Sequence, residues 1–217
     1  MSQFCNDRDL LLIEPSLFTC GVFNGQRLGY GSSGTLSGSS FTVFSTDFLA
    51  SGVKPGMVLC LYSGQISEGE GYEIVSVDSA YALTVSVPRA TTDSPVIAPT
   101  TFSQTKDWQI LTFAPQIAAM SAALSERLRT ICEASGINQG DFADSAQLRG
   151  VTAYATLAGL FAAAADGTDD DARWSKSRYY ESLYRDGLLR LRLALDADGD
   201  GLAEQTRTLA NVHLRRV

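Results

Sequence analysis

At Phe113 the chain changes character. Residues 20–112 are rich in Gly, Ser, Thr and Val, arranged in short runs with strand-type alternation. Residues 114–195 are rich in Ala, Leu and Arg, with apolar side chains three and four apart. A block of strands followed by a block of helices cannot alternate as βαβ units require. It predicts an α+β fold: a helical bundle with an inserted small antiparallel β-barrel or sandwich. At 217 residues there is room for one large or two small domains. Hydrophobic residues make up 45% and charged residues 19%, enough to bury a core.

Local signals divide the chain further. Asn6 or Asp7 caps a short N-terminal helix over Asp9–Phe18, which Pro15 interrupts because proline lacks the backbone donor. This helix, residues 1–19, is expected to join the helical bundle. The β-domain, residues 20–113, reads as strands at Thr35–Phe44, Met57–Tyr62, Tyr72–Val77, Ala82–Val87 and Trp108–Thr112. Between the first two, Asp47–Gly52 reads as one helical turn closed by a left-handed glycine, and Lys54-Pro55-Gly56 as a type II turn. Asp93–Thr105 is expected to be an exposed return loop. The bundle, residues 114–188, holds three helices, the last preceded by Asp169-Asp170-Asp171 as capping charge. From Leu189 the apolar period changes from helical to alternating. Residues 189–217 therefore read as a C-terminal β-hairpin, with strands at Leu189–Leu195 and Thr206–Arg215.

Composition excludes more chemistry than it suggests. His213 is the single histidine, so a catalytic triad or multi-histidine metal site has almost nothing to build on. The 17 basic against 24 acidic residues disfavour nucleic-acid binding driven by overall charge. The acidity is uneven: residues 1–113 carry 10 acids and 5 bases, residues 114–217 carry 14 and 12. Cys5, Cys20, Cys60 and Cys132 are widely spaced and read as small buried thiols rather than a zinc site or disulfide framework. No apolar run reaches the roughly 18–20 residues of a membrane helix. The N-terminus lacks the basic-then-apolar order of a signal peptide, so a reducing cytosol is the expected compartment.

Three motifs carry possible chemistry. Asp196, Asp198, Asp200, the Leu202 carbonyl and Glu204 follow the ligand order of a calcium loop, with Gly201 at the turn. Position 12 is Arg207 rather than Glu, and the flanks read as strands. The loop thus resembles the calcium-binding hairpin turns of integrin-like β-propellers more than an EF-hand. The competing reading is a polar turn that uses Asp and Gly only for its backbone shape. Gly29-Tyr30-Gly31-Ser32-Ser33-Gly34 satisfies a dinucleotide fingerprint literally, but no helical pattern follows it, so it reads as a flexible hairpin or loop. Trp174, Tyr179, Tyr180 and Tyr184 cluster on the arginine-rich third helix. They suit either a core or a subunit interface, where Trp, Tyr and Arg are enriched.

Taken in order, the Asp9–Phe18 segment, the phrases Phe41–Leu59 and Tyr72–Ser86, and a helical half ending in a Tyr- and Arg-rich helix and an Asp-x-Asp-Gly-Asp-Gly hairpin resemble head–tail connector adaptors of tailed bacteriophages. The resemblance implies a non-enzymatic virion protein of the neck, assembled in the bacterial cytoplasm. It implies a ring, dodecameric in form, docked under a portal protein and holding a stopper or tail protein on its far side. DNA would pass through the lumen without sequence-specific binding. Trp174, Tyr180, Tyr184, Arg192, Val212 and Leu214 are the expected interface residues, the last three through a hairpin that adds strands to a neighbour. Calcium is the only cofactor expected. The competing classes are another neck, tail or head-decoration protein and a calcium-dependent non-catalytic binding module.

Overall fold

The structure, a computed structural model, describes residues 3–19, 27–62, 69–99, 102–133, 146–166, 171–195 and 205–208. The chain forms two compact units. One comprises Asn6–Ala114, the other Met1–Cys5 together with Pro115–Val217. The strand-then-helix order of the sequence is thus the order of the fold, apart from the N-terminus.

The first unit opens with helix α1 (Asp7–Ile13) and a single turn, α2 (Ser16–Thr19). Asn6 caps α1 in a capping box: its side chain accepts from the Asp9 amide, and the Asp9 carboxylate accepts from the Asn6 amide at 3.0 Å. Six strands follow: β1 (Arg27–Ser37), β2 (Ser40–Thr42), β3 (Val58–Tyr62), β4 (Gly69–Ser79), β5 (Ala82–Ser86) and β6 (Phe102–Leu111). They close into an antiparallel barrel in the order β1-β2-β5-β4-β3-β6. Closure leaves no open sheet edge. β1 and β2 meet at a two-residue loop, Ser37 pairing with Ser40. Gly38 opens that loop at φ 57°, where a type II′ turn places glycine.

The barrel interior is filled by Trp108, Phe41, Phe48, Leu59, Ile74 and Leu83, with further aliphatics around them. Trp108 meets Phe41 and Phe48 edge-to-face at 5.7 and 5.9 Å between centroids. Room for the indole comes from the neighbouring strand β1, where Gly31 pairs with Trp108. A Cβ at Gly31 would lie 2.9 Å from Trp108 Nε1, and one at Gly34 would lie 2.5 Å from the Phe41 ring. The fingerprint-like Gly29–Gly34 stretch is therefore not a loop. It is the middle of β1, and its glycines are there because an indole packs on the backbone. Two further expectations shift. The predicted strand 35–44 divides at Gly38 into the end of β1 and β2, and β6 begins at Phe102, inside the predicted return loop.

All five residues of β3 are buried, so this strand has no solvent face. Its inner face meets the barrel core and its outer face lies near α1 and α2. Leu11 of α1 sits against Gly71 of β4, where a Cβ would come within 2.7 Å of it. The Arg8 amide donates to the Gly56 carbonyl at 2.9 Å, and Phe18 packs edge-on against Phe113 at 5.2 Å. Residues 6–19 thus belong to the barrel rather than to the helices, contrary to the sequence expectation for residues 1–19. The physical reason is that β3 and β4 offer an apolar outer face with a glycine notch that fits α1.

The second unit contains α3 (Ala114–Glu133), α4 (Ala146–Ala164) and α5 (Ala172–Arg190). Leu124 and Leu128 of α3, Leu148 and Val151 of α4, Leu188 of α5 and Leu191 share one apolar cluster, with Phe4 and Tyr184 packed beside it. Phe4 is held there by its amide, which donates to Ser121 Oγ at 3.3 Å. Asp171 caps α5, accepting from the Arg173 amide at 2.8 Å. Arg192–Leu195 (β7) pairs antiparallel with Gln205–Thr208 (β8).

Candidate functional site

Three places on the described surface and interior have the residues to do something beyond packing. The first is polar and buried. Glu73 of β4, 1% exposed, receives Nε of Arg8 from α1 and Nε of Arg89 from the segment after β5. Arg8 also donates to the Arg89 carbonyl and pairs with Asp9 at 3.4 Å. Arg89 donates from Nη1 to the carbonyls of Thr92 and Ser94 at 2.9 and 2.6 Å. Two guanidinium groups face two carboxylates, so the network is neutral, although Arg8 Nε and Glu73 Oε2 meet as an ion pair without a hydrogen bond. It staples α1 and residues 89–94 to β4, and it offers no charge for a substrate. Beside it, Asp7 accepts from the Phe113 amide at 2.6 Å and from Thr112 Oγ1 at 2.7 Å. Burial nevertheless pushes its carboxyl pKa up to about 6.

The second place is a tip of the barrel. Phe44, just past β2, is 87% exposed, and Leu49 is 60% exposed. The Phe44 ring lies 6.2 Å from that of Tyr81 in the β4–β5 turn. The tip is held firmly from below. The Val43 amide donates to the Tyr81 carbonyl at 3.0 Å and the Phe48 amide to the Ala80 carbonyl at 2.8 Å. Asp47 Oδ1 accepts from the Ala50 amide at 2.9 Å, and Gly52 closes the turn at φ 75°, as the sequence predicts.

The third is an apolar groove of about 640 Å³ in the helical unit. Met120 of α3, Ala155, Ala158 and Gly159 of α4, and Tyr184 and Leu188 of α5 line it. Small residues on α4 make the hollow, and Arg127, Glu181 and Arg185 stand at its rim. Glu181 is paired with Arg185 one turn on. Leu189, which also lines the groove, is 62% exposed.

The expected interface residues separate. Trp174 is exposed on α5, and Tyr184 lines the groove. Tyr180, 5% exposed, is inside: its ring stacks on Tyr154 and Phe161 at 6.5 and 5.9 Å. Arg192 lies in β7, and its side chain lies outside the described residues, as do Val212 and Leu214. The same holds for the calcium set Asp196, Asp198, Asp200, Leu202 and Glu204. Among the described residues no group of three or more His, Cys, Asp or Glu is placed to hold a metal. Cys5 and Cys60 are buried thiols outside any disulfide. Burial raises the Cys60 pKa to about 12, so this thiol is no nucleophile. No described helix is long and apolar enough to cross a membrane.

Sequence reading did not find the tip, the groove or the ion network. Glu73 gave a signal, an acid between the apolar Tyr72 and Ile74, but its two arginines come from 65 and 16 residues away. No family model, curated protein or solved structure matches the chain.

Proposed function

We propose that the chain is a non-catalytic assembly subunit, and specifically a head–tail adaptor of the tailed-phage neck, as its sequence resembles. The observation that carries the reading is how its surfaces are divided. Among the described residues, the buried charges of Arg8, Asp9, Glu73 and Arg89 balance within one internal network, while the surface carries an aromatic knob and an apolar groove. Such surfaces suit contact with protein, not turnover of a substrate.

In this reading copies form a ring between a portal protein and a stopper or tail protein, with DNA passing through the lumen. The helices form the bundle that packs beside its neighbours. The C-terminal hairpin built on Arg192–Leu195 and Gln205–Thr208 reaches a partner sheet, and calcium at Asp196, Asp198, Asp200, Leu202 and Glu204 stiffens it. Native mass measurement of the protein alone and mixed with a portal tests the reading. A closed ring, or a stoichiometric complex with the portal, is expected. A strict monomer that ignores the portal overturns it. An unchanged ring and thermal midpoint with and without chelator removes the calcium component alone.

A further inference from the structure

The barrel tip and the helical groove are opposite in shape and in charge. The tip is convex and aromatic, with Phe44, Leu49 and Tyr81 standing out of it. The segments that build it, residues 43–53 and 76–86, carry Asp47 and Asp78 and no basic residue. Both carboxylates are exposed. The groove is concave and apolar, and its rim carries two arginines against one glutamate. That glutamate is already engaged by Arg185, which leaves the rim positive. The tip is also rigid, tied down by the two backbone bonds beneath it. A preordered knob loses little freedom on docking, so its burial is converted into affinity efficiently. Met120, which lines the groove, has an unbranched, adaptable side chain that can close on an aromatic ring.

We infer that the groove receives the barrel tip of a second copy of this chain, with Phe44 as the anchor and Asp47 facing Arg127. The interface is heterologous: each copy offers a knob to one neighbour and a groove to the other. A heterologous contact propagates, and it closes into a ring when the rotation per copy divides a full turn. This rests on the assembly-subunit reading and adds the surface by which one copy holds the next. The charges fix the sense of docking, since two tips repel and two grooves repel.

Two variants interrupt opposite halves of the contact. Phe44→Ser acts on a side chain that is almost wholly in solvent. Gly159→Glu places a carboxylate in the groove, where a Cβ at that position meets only the flexible end of Met120 at 3.5 Å. Sedimentation velocity across a wide range of concentration, with circular dichroism as a check of folding, reads the result. Each variant alone should associate roughly tenfold more weakly or worse, as loss of an anchor does. An equimolar mixture of the two retains one intact knob and one intact groove per pair. It should therefore form a dimer and stop there, whereas the wild type grows past the dimer, which a two-fold symmetric exchange of knobs would not do. Arg127→Glu on the exposed rim should weaken assembly without touching the core, and adding Asp47→Arg in the same chain should restore it. Wild-type assembly that survives both Phe44→Ser and Arg127→Glu overturns the inference and leaves the assembly reading standing. So does a mixture of two monomeric variants that forms no dimer. A wild-type chain that is monomeric alone and with a portal overturns both.

Discussion

Asp7 shows how a single buried carboxyl sets a pH dependence. Its pKa is moved from 3.8 to about 6 because burial outweighs the bonds from Phe113 and Thr112. A raised value means that the folded state favours the protonated form. The stability from this group is complete below pH 3.8 and is lost as the pH rises through 6. Raising the pH from about 4 to about 7 should therefore cost on the order of 3 kcal/mol at this residue. In Asp7→Asn that cost disappears, so the variant gains on the wild type across the same interval in urea unfolding. A difference between the two that stays flat with pH refutes the account. Glycine is the other residue on which single positions turn. Gly34→Ala drives a methyl into Phe41 and Trp108 and should destabilise the barrel by about 1–3 kcal/mol. Gly150→Ala, in α4 with nothing within 4 Å of the new Cβ, should stabilise its helix by up to about 1 kcal/mol. Equal effects at the two sites would mean that the packing described for β1 is wrong. Neither glycine can be ranked from the sequence, because the indole that distinguishes Gly34 lies on a strand 74 residues away.

Among the elements, α1 is the one whose place the sequence did not reveal. Its cap near Asn6 and its break at Pro15 are local properties that the sequence carries, although α1 spans Asp7–Ile13 rather than starting at Asp9. Its destination depends on Gly71, Glu73 and Arg89, which no local pattern links to it. The ion network makes that destination testable. Glu73→Ala leaves Arg8 and Arg89 buried without their shared carboxylate and should cost about 3–5 kcal/mol. The triple replacement Arg8→Met, Glu73→Leu, Arg89→Met removes charges together and should cost less than the single change. If the triple variant is the less stable of the two, the network contributes more than charge neutrality.

At the scale of the whole molecule, the two units have separate cores, and the two tryptophans report on them separately. Trp108 fills the barrel, and Trp174 sits on α5. In a Trp174→Phe background, fluorescence follows the barrel alone, while ellipticity at 222 nm is dominated by the three long helices. Gly34→Ala should lower the midpoint of the first signal and leave that of the second in place, and Gly150→Ala should raise the second only. Coincident shifts in both signals would show that the chain unfolds as one cooperative body.

The order of strands and helices, the turns at Gly52 and Gly56 and the caps at Asn6 and Asp171 were all settled by neighbours in the chain. Backbone conformation, capping and hydrophobic period act over a few residues, so the sequence alone carries them. Tertiary structure decided the rest. It turned a glycine fingerprint into a seat for Trp108, moved α1 onto the barrel, buried Tyr180 while leaving Trp174 in solvent, and left Phe44 exposed although Phe41 and Phe48 are not. Each of these depends on which distant surface covers a side chain, and burial is a property of the packed chain rather than of any segment in it.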